Sequence, residues 1–412
     1  MWDVVVIGGG LAGLLAGIRA AQRQKKVLLV TEGVGTLFFF SGIIDYGDVE
    51  QLRLLPGHPY QLFDQETINR GRKYMEQVCP DYIDTERPEA VLSPLGLLRS
   101  GDLVPKGMKL PNLLSVGSVV LLVPNGLKDF FPEIVVPNLT NVFKNGQIYV
   151  ENLVVEEFQR WFELGRPITS VDYADYWRTQ KGHKVLKQAI GKIKEKFSSR
   201  LENGEKSVVV VMPSLVTEYW ENARRGKWVA DFPLSVMEIS SFSPSPHGRH
   251  LAEYLRHIFQ DLGGEIVFGA RAVRSELEST ENGYQRCKQL VVQSKGKELI
   301  LKAEKYILAT GGLLGGGIEA INEKREIREA VFDLPVFIPE EWSSPHFFED
   351  QPYAFAGIMT DHQLCPINPL TREVVLENVY VVGRLLAHWD PWIQRCGAGV
   401  SITSGFVAGE SV

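Results

Sequence analysis

The chain has 412 residues, 44% of them apolar and 23% charged, with a formal net charge of -6. That length allows two or three domains around a sizeable core. The acidic balance argues against a generally basic nucleic-acid surface, while a local basic patch for an anionic substrate remains compatible with it. Cys79, Cys287, Cys365 and Cys396 include no CxxC pair. Free thiols in a reducing compartment are expected, and no iron–sulfur cluster or other metal site within the chain. Nothing after Met1 has the layout of a signal peptide, and no apolar run reaches the roughly 18 residues of a membrane span.

The first element is a strand, Val4-Val5-Val6-Ile7, running into Gly8-Gly9-Gly10-Leu11-Ala12-Gly13. A helix follows with Leu14, Leu15, Ile18 and Ala21 on its buried side, then a second strand, Val27-Leu28-Leu29-Val30. Strand, G-x-G-x-x-G, helix and strand is the context of a dinucleotide fingerprint. Gly8 permits the tight turn, Gly10 lets a phosphate approach the main chain, and Gly13 lets helix and strand pack closely. The helix start offers unpaired N–H groups and the positive end of its dipole to the anion. The acid that usually binds the adenosine ribose, about 20 residues on, is replaced by Thr31, with Glu32 one position later. Thr31 can hydrogen-bond a hydroxyl, less strongly than a carboxylate, and Glu32 is a candidate for that contact if the strand bulges.

Residues 86–240 carry no nucleotide signature and are expected to form an inserted α+β cap or substrate domain. They hold strand-like Val91-Leu92 and Val208 to Met212, a buried strand within Leu113 to Val123, and two charged amphipathic helices, Ile168 to Thr179 and Lys184 to Leu201. Residues 1–85 and 241–412 are expected as the two parts of the cofactor domain. In the second part, Arg249 to Leu262 has helical spacing and Gly263-Gly264 stops it. Glu265 to Phe268 is a strand that Gly269 to Val273 continue. Leu290-Val291-Val292 and Leu299-Ile300-Leu301 form a hairpin, and Tyr306 to Ala309 is a strand entering Thr310-Gly311-Gly312. Val379 to Val382 is a strand ending at Gly383, and Cys396-Gly397-Ala398-Gly399-Val400 opens a helix of small residues. The order of elements from Arg249 to Gly312 resembles flavoproteins of the glutathione-reductase and fumarate-reductase class. The fold expected is α/β: a Rossmann-like FAD/NAD(P)-binding fold, three-layer ββα, with the inserted cap.

Further segments carry a more specific resemblance: Phe40-Ser41-Gly42-Ile43-Ile44-Asp45, Ser93-Pro94-Leu95-Gly96 with Leu98-Arg99, Gly126-Leu127-Lys128-Asp129-Phe130, Pro244-Ser245-Pro246-His247-Gly248-Arg249, and Trp389-Asp390-Pro391 to Val400. In this order, with the glycine loop before them, they resemble the B-type subunits of the anaerobic, quinone-linked glycerol-3-phosphate dehydrogenase. The resemblance implies a flavin-dependent dehydrogenase that oxidises glycerol 3-phosphate to dihydroxyacetone phosphate and passes electrons to a quinone. Its implied partners are a larger flavoprotein catalytic subunit and an iron–sulfur subunit that anchors the pair at the inner face of the cell membrane, the chain itself being cytoplasmic. The glycine loop favours FAD, and FMN is the family's usual assignment. Gly8, Gly10, Leu11, Ala12, Gly13, Thr31, Glu32, Ser41, Gly42, Val273, Thr310, Gly311 and Gly383 are expected to contact the cofactor. Gly397, Ala398, Gly399 and Val400 would face the pyrimidine end of the flavin ring, where the helix dipole stabilises the reduced form.

Dehydrogenation of a carbinol needs a base for the hydroxyl proton and a cation for the phosphate. His388 is the candidate base and Arg249, between His247 and His250, the candidate clamp; Arg99 and Arg384 are further cations. Two other readings stay open: a flavin electron-transfer or structural subunit, and a flavoprotein acting on another small hydroxy acid.

Overall fold

The computed structural model describes residues 1–85, 91–198, 207–213, 234–281, 283–321 and 326–412. Its principal elements are β1 (Trp2–Ile7), α1 (Leu11–Gln22), β2 (Val27–Thr31), α2 (Gln65–Val78), β3 (Val116–Pro124), α3 (Pro132–Val142), β4 (Gln147–Leu153), α4 (Glu156–Glu163), α5 (Ser170–Trp177), α6 (Gln180–Lys196), β5 (Ser207–Pro213), β6 (Ser235–Ile239), α7 (Pro246–Asp261), β7 (Glu265–Phe268), β8 (Ala270–Ser279), β9 (Gln285–Ser294), β10 (Lys297–Leu301), β11 (Ala303–Leu308), β12 (Val379–Val381) and α8 (Gly397–Ser411). Of the second expected helix, residues 199–201 lie outside the described residues.

The chain divides into two compact units. One is Met1–Leu37, Asp45–Val78 and Ala252–Val412; the other is Phe38–Ile44 and Cys79–Leu251. The expected cap, 86–240, is narrower than this second unit, which also takes up the loop at Phe38–Ile44 and the first residues of α7. The sequence carries no punctuation at either place, because one cut falls within a helix and the other captures seven residues by tertiary contact.

In the first unit a parallel sheet runs in the order β7-β2-β1-β11-β12. A parallel sheet covered on both faces needs strands that are apolar throughout, and Val4 to Ile7, Val27 to Val30 and Tyr306 to Leu308 are all buried. On one face α1 and α8 pack closely: a Cβ on Gly405 or Gly409 would lie 2.5 Å from the Ala12 carbonyl oxygen or 2.7 Å from that of Ala16. Spaced four apart, the two glycines line one stripe of α8, so the backbones meet. β8, β9 and β10 form the separate antiparallel sheet. Here one expectation is corrected: residues 269–273 do not continue the strand of Glu265 to Phe268. Gly269, at φ +71°, turns the chain out of the parallel sheet into the antiparallel one. Helices, parallel sheet and antiparallel sheet are the three layers of a Rossmann-like FAD/NAD(P)-binding fold.

In the second unit a four-stranded sheet runs β6-β5-β3-β4, with every pair parallel. The unit was expected as α+β; short antiparallel pairs are present, but its main sheet is of the α/β kind. Along β3, Val119, Leu121 and Val123 enter one core with Val135, Leu139 and Val211, while Val120 and Leu122 enter another with Tyr173, Trp177, Leu186 and Ile190. Helices on both faces explain why β3 reads as one apolar run rather than an alternating strand.

Candidate functional site

The glycine loop lies between β1 and α1, within the first unit. Gly8 has φ +114°, and a Cβ there would come 2.2 Å from the Ala309 carbonyl oxygen, where β11 ends beside β1. A Cβ on Gly13 would come 2.1 Å from the Gly8 carbonyl oxygen. Both are glycines because the backbone itself is in the way. Gly10 differs: its φ is -79° and no atom of the described residues lies within 4 Å of a Cβ built on it. It is the N-cap of α1, and no side chain caps the helix. Helix geometry leaves the N–H groups of Leu11, Ala12 and Gly13 without intrahelical acceptors. An open approach onto uncapped donors at a positive helix end suits a phosphate.

Thr31 is already engaged within the loop. Its Oγ1 accepts from Gly9 N at 3.1 Å and donates to the Gly33 carbonyl at 2.6 Å, so the side chain braces the glycine loop and its one proton is committed. Glu32, exposed at the end of β2, keeps its carboxylate available. β2 pairs with β1 and β7 without a register shift, so the bulge that would bring Glu32 to the position of Thr31 is absent from its ladder.

Other expected cofactor residues gather at strand ends of the same unit. Thr310 and Gly311 follow β11; Gly311 has φ +79°, and Thr310 Oγ1 is buried without a partner among the described residues. Gly383 follows β12 with φ +68°, and a Cβ there would lie 2.8 Å from Ala12 Cβ. Val273 falls in the register shift between Ala272 and Arg274, so a bulge takes it out of the β8–β9 ladder. At the start of α8 the expectation narrows. Gly399 N donates to the Asp45 carbonyl at 3.2 Å and Val400 N to the Cys396 carbonyl at 2.9 Å. Gly399 and Val400 are buried, with Gly399 packed on Tyr46 and Tyr60. Gly397 and Ala398 are the part-exposed pair, and the helix has no side-chain cap.

His388, also in this unit, has φ +67°. Its ring lies on Phe337 with centroids 3.8 Å apart and against Gly57, where a Cβ would be 2.7 Å from His388 Cγ. Burial, with Arg372 as a smaller cause, pushes its pKa below the usual histidine value. A neutral imidazole at pH 7 can accept a proton.

In the second unit Ser41 Oγ accepts from Arg99 Nη1 at 3.1 Å. Gly42 has φ +90°, and a Cβ there would be 2.8 Å from His247 Cβ. His247 Nε2 lies 3.2 Å from Glu238 Oε2, both side chains buried. Arg249, the expected clamp, already holds a carboxylate: its Nη1 donates to Asp175 Oδ2 at 2.8 Å. Burial pushes the Asp175 pKa up, but His250 and Arg249 outweigh it and keep the net shift downward. His250 Nε2 is 3.2 Å from Arg178 Nη1. Glu238, Asp175 and Arg178 escaped the sequence reading, because nothing in a single chain marks an acid as the partner of a histidine or arginine on a distant element. The expected base and the expected clamp fall in different units.

A parallel sheet whose first strand feeds a glycine loop and an uncapped helix, covered by helices and an antiparallel sheet, defines a flavoprotein-type dinucleotide-binding protein. Residues 3–64 match the FAD binding domain family, so the dinucleotide this loop receives is FAD. Along its full length the chain is similar to proteins named as the B subunit of anaerobic glycerol-3-phosphate dehydrogenase. One from Yersinia pestis (bv. Antiqua, strain Antiqua) is 27% identical over 438 residues, covering 100% of this chain and 98% of the relative. One from Actinobacillus pleuropneumoniae (serotype 5b, strain L20) is 25% identical over 451 residues, covering 100% and 99%. Among solved structures, a 3-ketosteroid-Δ4-(5α)-dehydrogenase from Rhodococcus jostii RHA1 matches with 11% identity, 100% and 96% coverage and a TM-score of 0.37.

Proposed function

We propose that the chain is a flavin-dependent dehydrogenase subunit that oxidises glycerol 3-phosphate to dihydroxyacetone phosphate, its electrons passing through partner subunits to a quinone. The observation that carries the redox reading is Gly10, the open and uncapped entry to α1; the substrate and the subunit arrangement rest on the similarity to the proteins named above. FAD, when bound, supplies the two-electron acceptor for the hydrogen leaving the carbinol carbon. The glycine loop holds the cofactor phosphate, and the start of α8 offers Gly397 and Ala398 to the flavin ring. His388 takes the hydroxyl proton at an imidazole nitrogen, in the neutral form that burial favours. In the second unit, Arg249 is the group that would take an anion, in exchange for Asp175 on its guanidinium.

A second reading is favoured by that ion pair. An arginine already neutralised by a carboxylate suits a subunit whose flavin only relays electrons. The test is anaerobic mixing of the purified holoprotein with glycerol 3-phosphate, following flavin absorbance. Bleaching within the turnover time with an artificial acceptor supports the catalytic reading. A flavin bleached only when a partner subunit is present supports the relay. Bleaching by other hydroxy acids but not by glycerol 3-phosphate rejects the substrate.

A further inference from the structure

The glycine loop alone leaves a dinucleotide's charge unmatched. A pyrophosphate is doubly anionic, whereas a helix start supplies the equivalent of about half a positive charge. The first turn of α1, Leu11-Ala12-Gly13-Leu14, has no charged side chain. A cation is held at the same edge of the sheet. Arg384 follows Gly383 at the end of β12, and position 383 abuts Ala12 of that first turn. The Arg384 Cζ and Nη1 lie 3.4 Å from where a Cβ would stand on Gly312, just past the end of β11. Nη2 donates to the Ala354 carbonyl, and the guanidinium lies 5.5 Å from the centroid of the Trp389 ring. Nη1 is buried with no hydrogen-bond partner among the described residues, and no described carboxylate forms an ion pair with this arginine. Burial lowers the guanidinium's pKa, Asp390 opposing it, yet arginine keeps its proton. Asp390 acts on this charge without forming an ion pair, so a largely buried guanidinium is left under-compensated, a state that a bound anion relieves.

We propose that Arg384 binds the pyrophosphate of the FAD, as the fixed cation that complements the N-terminus of α1. This rests on the reading that the first unit holds FAD. Dinucleotides lie across the carboxyl ends of the strands in such sheets, and β1, β11 and β12 present Gly8, Gly312 and Arg384 at that end. The inference separates Arg384 from the substrate phosphate, for which the sequence made it one of several candidates.

The experiment uses the full chain stripped of flavin, titrated with FAD, FMN and riboflavin by quenching of flavin fluorescence. Arg384→Met is expected to weaken FAD about 100-fold, the order of a lost charge-assisted contact, and riboflavin, which has no phosphate, less than about 3-fold. Arg384→Lys, a point charge without the fork, falls between. Arg384→Gln, which keeps a donor for the Ala354 carbonyl, behaves like Arg384→Met, separating the charge from packing. The flavin-free Arg384→Met chain melts no lower than wild type, because an unpaired charge has been removed. Unchanged FAD affinity overturns the proposal, as does an equal loss for riboflavin. So does holoprotein that keeps FAD and loses affinity for inorganic phosphate, which would assign the arginine to substrate. A wild-type chain that takes up no flavin at all rejects the underlying FAD reading instead.

Discussion

Replacing Gly10 by alanine separates the ligand from the fold. No described residue comes within 4 Å of the added methyl, and φ at -79° suits any residue. The flavin-free protein should therefore lose less than about 1 kcal/mol, the scale of a weak N-cap change. The methyl projects where a phosphate must come to reach the first-turn N–H groups. Losing two charge-assisted hydrogen bonds at about 1.5–3 kcal/mol each amounts to about 3–6 kcal/mol. That converts to roughly 10²- to 10⁴-fold in FAD affinity. Gly13→Ala is the contrasting case, because its methyl would sit 2.1 Å from the Gly8 carbonyl oxygen. It should cost at least the roughly 1–3 kcal/mol of an overpacked core and lower the melting temperature with or without flavin. The assay is paired: thermal unfolding of the flavin-free chains, and FAD titration at a temperature where all remain folded. Gly10→Ala binding FAD within about 3-fold of wild type refutes the assignment of this loop to the cofactor phosphate.

Thr31→Val strands the buried Gly9 N–H, so about 1–3 kcal/mol of stability should go and FAD should weaken with it; Thr31→Ser should restore both, and urea melts of the three chains decide. His388→Asn keeps a residue type that tolerates a left-handed backbone. It should leave flavin content intact while lowering turnover of glycerol 3-phosphate roughly 10²- to 10⁴-fold; a turnover within about 3-fold of wild type, with FAD bound, removes His388 from the chemistry. Because its folded pKa is lowered, the acid limb of the wild-type rate should lie below the ordinary histidine range. His58 is buried and accepts from Tyr60 N at 3.1 Å; burial, opposed by a hydrogen bond to Gln394, lowers its pKa from 6.5 to about 4. The unfolded chain binds the extra proton between those values, so this stability is present above pH 6.5 and lost as the pH falls towards 4. The loss should approach about 3 kcal/mol. Melting curves of wild type and His58→Gln across that window should converge at the acid end, and parallel curves would disprove it.

What was legible in the sequence was local. The glycine loop, both strands beside it and α1 occupy one short stretch of the chain. The hairpin of β9 and β10 and the small-residue start of α8 were legible for the same reason. Less visible was what a contact across the fold decides. Thr31 reads as a substitute for a missing acid until Gly9 N is seen to donate to it. Arg249 reads as a free clamp until Asp175, 74 residues away, is found on its guanidinium. Gly269 reads as a residue within a strand because apolar residues flank it, and only its positive φ marks the passage between two sheets.

The same distinction bears on how the charges are read. Arg249 and Arg384 are equivalent as letters: each stands near a glycine and each can grip a phosphate. Their surroundings make them opposites. Arg249 is about one-third exposed and ion-paired, so an incoming anion must displace Asp175 from a partly solvated guanidinium. Such exchanges are nearly balanced and sensitive to salt. Arg384 is part-exposed, but its Nη1 is buried without a partner among the described residues, so an arriving anion meets a guanidinium partly stripped of water and in no ion pair with a described carboxylate. A fixed cation of that kind suits a group that stays bound through many turnovers; an exchanging pair suits one that comes and goes. FAD affinity should therefore respond weakly to added salt at the Arg384 contact, while anion affinity at Arg249 falls steadily with it. The reverse ranking in titrations at low and high sodium chloride would exchange the two assignments.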